Sequence, residues 1–167
     1  MRRVVLDNDA LYCLAHRGRN NDAEAVDVLR IAVEQHRLQL MATHILREEA
    51  TAGVGDARKE QMASILEFAV NVPTGAFLFD ISEFGQAAPG VDDATIKQLR
   101  DGITVASRKH AHDALITSTA LAQNATLVSL DNRAIRRARE LDVAVMSPLE
   151  LLLEAGYEPT WLGAQSA

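Results

Sequence analysis

At 167 residues the chain is long enough for one domain that buries most of the surface its unfolded form would expose. With 48% hydrophobic and 24% charged residues it has the make-up of a globular protein, which excludes a disordered or collagen-like chain. A net charge of −6 argues against a broad basic surface for duplex DNA and leaves room only for a local cationic strip. Three of the 17 basic residues are lysines (Lys59, Lys97, Lys109) and the rest are arginines. That bias suits bidentate contact with phosphate or carboxylate, and a GC-rich genome would produce it equally well.

Cys13 is the sole cysteine. It rules out an intrachain disulfide and a cysteine-based zinc site and points to a reducing compartment. Two arginines precede an apolar run (Val4 to Leu6) too short for a signal-peptide core, and no apolar stretch reaches membrane-spanning length. The expected location is the cytoplasm, with no membrane partner.

In chain order, Arg3 to Leu6 reads as a compact strand followed at once by Asp7, Asn8 and Asp9. Asp22 to His36 is an amphipathic helix with Val26, Leu29 and Val33 on one face and Asp22 as N-cap. Leu38 to Ala42 is a second strand, and a helix starts at Ile45. Gly53 and Gly55 break the chain before a helix over Ala57 to Ala69, with Met62, Ile65, Leu66 and Ala69 inward. Phe77 to Ile81 reads as a strand, Gln86 to Gly90 as a loop, and Val91 to Ser107 as a helix capped by Asp92 or Asp93. Asp113 opens a helix in which Leu115, Thr119 and Ala122 recur at helical spacing, so it falls in the first turn, where the macrodipole favours negative charge. Ala125 to Leu130 is a short β-branched strand ending at Asp131. Asn132 to Glu140 is a basic helix, Val143 to Met146 a last strand, and Pro148 to Glu154 a final helix. Alternation of this kind implies an α/β fold with a mainly parallel sheet covered on both faces. Residues 1–147 form the domain, and residues 148–167 a C-terminal helix and tail with Trp161.

In such sheets ligands gather outside the carboxyl ends of the strands. Asp7 and Asp131 stand at two such ends, Glu48 and Glu49 lie in the helix that follows a third, and Asp113 lies on the helix that feeds the strand of Asp131. Two carboxylates about 5 Å apart repel by about 3 kcal/mol at an effective dielectric of about 20, which a fold keeps only with a cation or a shared proton. Singly, each acid has a plainer reading as a helix cap or a solvated side chain. Jointly they form a set of hard oxygen ligands suited to Mg²⁺ or Mn²⁺.

The motifs VVLDND, ILREE, HDALITSTAL and LVSLDNR occur in an order that resembles a PIN-domain ribonuclease of the VapC toxin type, over about Val4 to Met146. The resemblance implies a three-layer α/β/α domain and a Mg²⁺- or Mn²⁺-dependent endoribonuclease. It further implies a homodimer that acts on RNA and is silenced by an antitoxin protein. It makes Asp7, Glu48, Asp113 and Asp131 the catalytic, metal-binding acids, with Ser129 a hydroxyl behind them. Asn8 and Asp9 depart from the Thr or Ser and the Asn or Ser usual there, and Leu130 replaces a frequent polar residue. Glu49 competes with Glu48; the Leu-x-Glu spacing from Leu46 favours Glu48.

Arg133, Arg136 and Arg137 share one side of a helix beside Asp131 and are candidates for holding RNA phosphates, the alternative being a solvated face paired with Glu140. Lys109, His110 and His112, ahead of Asp113, are candidates for substrate contact, and His44 stands close to Glu48. Two other functions compete. A PIN fold could serve only to bind RNA or protein. The Asp7-Asn8-Asp9 run also resembles the Asp-x-Asp of haloacid-dehalogenase-type phosphatases, a reading that leaves Asp113 and Asp131 unexplained.

Overall fold

The computed structural model describes residues 1–19, 23–51, 56–74 and 108–158. The strands are β1 (Arg2–Leu6), β2 (Leu38–Ala42), β3 (Val70–Asn71), β4 (Thr126–Val128) and β5 (Val145–Met146). Between and after them run α1 (Asn8–Arg19), α2 (Ala23–Glu34), α3 (His44–Thr51), α4 (Asp56–Glu67), α5 (Arg108–Ala122), α6 (Asn132–Glu140) and α7 (Pro148–Ala155). The sheet order is β3-β2-β1-β4-β5 and every pairing is parallel. The α/β class and the parallel sheet expected from the alternation of elements are therefore present.

Alternation along β1 divides the core in two. Val4 and Leu6 join Leu40, Ala42 and the inner faces of α1, α2 and α4 on one side of the sheet. Val5 joins Met41, Leu127 and the inner faces of α5 and α6 on the other. All three β1 residues are fully buried, as the continuous VVL run requires of a central strand covered on both faces. Helices on both faces make three layers.

Local signals explain the element ends. Thr43 accepts a hydrogen bond at Oγ1 from the Leu46 N–H (3.2 Å), capping α3 directly after β2 stops. Arg47 on α3 donates from Nη2 to the carbonyls of Leu66 and Ala69 (3.2 and 3.0 Å), which satisfies the end of α4. Ser147 and Glu150 close a capping box on α7, and Gly156 ends that helix at φ 102°.

Two points differ from the sequence reading. Helix α5 begins at Arg108, so Asp113 is its sixth residue and lies beyond the reach of the terminal dipole. The apolar period reports where the helix is buried, and the polar segment RKHAH extends it without adding to that period. Strand β3 falls on Val70 and Asn71, both exposed, and exists only by pairing with β2. The apolar faces of α2 and α4 pack within the chain. Met62, Ile65, Leu66 and Ala69 are buried, while Val26 and Val33 pack half-buried on the same core. Asp22 and the elements expected at Phe77–Ile81, Gln86–Gly90 and Val91–Ser107, with Asp92, Asp93 and Trp161, lie outside the described residues. Among the described residues no helix is long and apolar enough to cross a membrane.

Candidate metal centre

The carboxyl ends of β1 and β4 lie side by side, because Val4, Val5 and Leu6 pair with Thr126, Leu127 and Val128. Asp7 continues β1 by one bond, donating its N–H to the Val128 carbonyl (3.0 Å), and its own carbonyl accepts the first bond of α1 from Leu11 (2.9 Å). It is thus both strand end and helix cap. The Asp7 side chain is buried, at 5% exposure. Its Oδ1 accepts from the Asn8 N–H (2.6 Å) and its Oδ2 from the Ser129 hydroxyl (2.6 Å).

Ser129, also buried, faces two ways. While donating to Asp7, its Oγ accepts from the Asp131 N–H at 3.0 Å. Asp131 in turn caps α6, with Oδ1 accepting from the Arg133 N–H at 2.7 Å and lying 3.9 Å from the Arg133 Nε as an ion pair. The capping reading and the site reading of Asp7 and Asp131 are therefore not alternatives. Each carboxylate sits at a helix N-terminus, where the backbone dipoles favour its charge. Each carboxylate oxygen has two lone-pair directions, so the cap bonds orient the groups without exhausting them as ligands.

The remaining residues are placed less closely. Glu48 is exposed and Glu49 half-buried, both on α3; Glu49 lies at i+4 and i+3 from the buried Ile45 and Leu46. Asn8 is half-buried and Asp9 exposed in the first turn of α1. The backbone of Asp113 is nine positions before the end of α5, or about 14 Å along its axis. Asp131 is five positions past the start of β4, or about 16 Å. The helix and strand run in opposite directions, so both residues stand at the carboxyl edge. The side chains of Asp113, Lys109, His110 and His112 lie outside the described residues. Among the described residues no group of three or more His, Cys, Asp or Glu gathers closely enough to hold a metal. What the structure brings together is the Asp7 and Asp131 pair, joined through Ser129.

Arg133 and Arg136 are exposed, and Arg136 lies 3.9 Å from Glu140 as an i,i+4 pair, the solvated arrangement weighed above for this face. His44 opens α3, is 8% exposed, and has no hydrogen-bond partner among the described residues at either ring nitrogen. The sequence reading missed Thr43. The β1 and β2 register, continued two positions beyond Val5↔Met41, sets it abreast of Asp7. The signal was there, a threonine at a strand end directly before a helical run.

No family model matches the chain, and no curated protein does either. Among solved structures it is similar to a protein from Pyrobaculum aerophilum, with a TM-score of 0.55 and 15% identity over 94% of this chain and 98% of that one. It is also similar to a PilT N-terminus domain protein from Sulfolobus solfataricus, with a TM-score of 0.51 and 18% identity over 94% and 96% of the two chains. A VapBC complex from Rickettsia felis bound to a promoter DNA fragment is matched with a TM-score of 0.48 and 18% identity, over 87% and 98%. The chain has the fold of PilT N-terminus (PIN) domains.

Proposed function

We propose that the protein is a Mg²⁺- or Mn²⁺-dependent endoribonuclease and the toxin of a toxin–antitoxin pair, working as a homodimer and held inactive by its antitoxin. The observation that carries this reading is the Ser129 bridge, which joins the Asp7 carboxylate to the Asp131 backbone N–H at the sheet edge where ligands of such folds gather. The donor set is all hard oxygen, which fits these ions. Asp7 and Asp131, with Glu48 and Asp113, would hold the metal. Bound there, a divalent ion supplies a water activated for attack and charge stabilisation at the leaving oxygen of a phosphodiester.

The residues of the chain do the rest. Ser129 and the Asn8 N–H hold the Asp7 carboxylate in one orientation, which is pre-paid before substrate arrives. Arg133 and Arg136 extend into solvent on α6 next to Asp131 and neutralise RNA phosphates on either side of the cut. The antitoxin and the dimer rest on the ordered sequence motifs.

Purified protein incubated with total RNA and Mn²⁺, followed by mapping of the new ends, tests the reading. Discrete cleavage that EDTA abolishes is expected. Intact RNA with both Mg²⁺ and Mn²⁺ would leave only a binding role for the fold.

A further inference from the structure

The edge of the sheet opposite Asp7 carries a cleft of about 370 Å³, where the amino ends of β1 and β4 meet the turn after α6. Arg3, Asn124 and Asp142 supply polar groups to it, and Leu121 and Val143 an apolar wall. Arg3 is four strand positions from Asp7, about 13 Å, with the core between them. One small ligand cannot span both edges, so the cleft is separate from the carboxylate site.

The two arginines of the cleft differ in how their charge is answered. Arg2 pairs with Glu154 through Nε, and its Nη1 points to Thr126 Oγ1 at 3.4 Å. Arg3 donates from Nη2 to the neutral amide oxygen of Gln123 (2.9 Å), and its Nε is buried with no hydrogen-bond partner among the described residues. A guanidinium on the lining of an open cleft, whose hydrogen bond among the described residues goes to a neutral group, is matched by an oxyanion. Asp142 lies at the same cleft, exposed and in a left-handed turn at φ 55°, and works against a bare anion. It favours instead a ligand that carries a hydrogen-bond donor, such as the amino group of a nucleobase, beside its oxyanion.

We propose that this cleft is a second ligand site, in which Arg3 binds the phosphoryl group of a small molecule whose apolar body rests on Leu121 and Val143. The phosphoryl group can come from a nucleotide or from free phosphate. The full-length protein, kept in EDTA and without RNA so that the acid cluster takes no part, is titrated separately with inorganic phosphate and adenosine monophosphate. Potassium chloride at matched ionic strength is the control. Both phosphoryl ligands are expected to raise Tm and to bind by calorimetry, and chloride is not. Tighter binding of the nucleotide assigns the site to nucleotides, and equal binding keeps the Arg3 contact to the phosphoryl group but overturns the apolar contact with Leu121 and Val143.

Arg3→Gln should weaken binding by about tenfold or more. Asp142→Asn should tighten inorganic phosphate by about threefold or more, since it removes a like charge and Asn tolerates the left-handed backbone. A gain in affinity is a result that a damaged fold cannot imitate. No response beyond that of chloride, or an affinity unchanged in both variants, overturns the proposal. Because no step depends on RNA cleavage, the result is independent of the nuclease reading.

Discussion

The Ser129 hydroxyl donates to Asp7 Oδ2 at 2.6 Å while accepting from the Asp131 N–H at 3.0 Å, so a single buried oxygen sets the positions of both acids. Ser129→Ala removes the donor from a buried carboxylate and the acceptor from a backbone N–H. An unfolding free-energy loss of about 1–3 kcal/mol is expected, read by urea denaturation of the metal-free protein. RNA cleavage should fall by about 10- to 100-fold, the usual cost of losing a partner behind a metal ligand. A variant within about 0.5 kcal/mol of the parent and fully active would show that the hydroxyl only fills space.

Glu48 and Glu49 differ in surroundings, the first exposed and the second half-buried. The proposed metal site takes one of them. Glu48→Gln is expected to abolish cleavage and to lessen the rise in Tm that Mn²⁺ gives, with Glu49→Gln active. Cleavage assays on the two variants side by side decide the point, and the reverse pattern moves the assignment by one residue.

The α7 capping box gives a pH dependence of stability. The Ser147 backbone N–H and hydroxyl hold the Glu150 carboxyl below its usual value of 4.5. A carboxyl lowered in the folded state contributes stability that is complete above 4.5 and is lost as pH falls through the folded value. Glu150→Gln keeps an acceptor but no charge. Melting curves from neutral pH down to acid should therefore show the parent above the variant, with the gap closing below 4.5. A gap that stays constant across that range would remove Glu150 as the cause.

Gly156 ends α7 at φ 102°, and its N–H bonds to the carbonyls of Leu152 and Leu153. A Cβ there meets no atom within 4 Å, so the cost of Gly156→Ala is that of the backbone conformation alone. A loss of about 1 kcal/mol is expected by denaturant unfolding. An unchanged midpoint would mean that the helix end relaxes freely.

How far the molecule was legible varies by element. Leu38–Ala42 and Asn132–Glu140 were read to the residue, because a buried apolar run and an Asp-capped basic helix mark their own limits. Ser129 is legible as a hydroxyl behind the acids only through the resemblance, which implies a Thr or Ser two residues before the strand-end Asp. The start of α5 was hidden, since RKHAH is helical without being apolar-periodic. Strand β3 was hidden more deeply, because two exposed residues carry no period and only the neighbouring strand makes them extended. The placement of Thr43 abreast of Asp7 needed the register of two strands distant in sequence. The amino-edge cleft likewise draws residues from three separate stretches, and no local pattern announces it.

The metal-dependent chemistry stands or falls most directly with Asp113→Asn, assayed for RNA cleavage in Mn²⁺ and for metal-free melting temperature on the same preparation. Asp113 lies beyond the first turn of α5, so neutralising it forfeits little helix-dipole energy, and on the proposed metal-site reading it relieves repulsion from the other acids by about 1–3 kcal/mol. The variant should be inactive and at least as stable as the parent. An Asp113→Asn protein that cleaves RNA like the parent would contradict the assignment of the acids as the metal site.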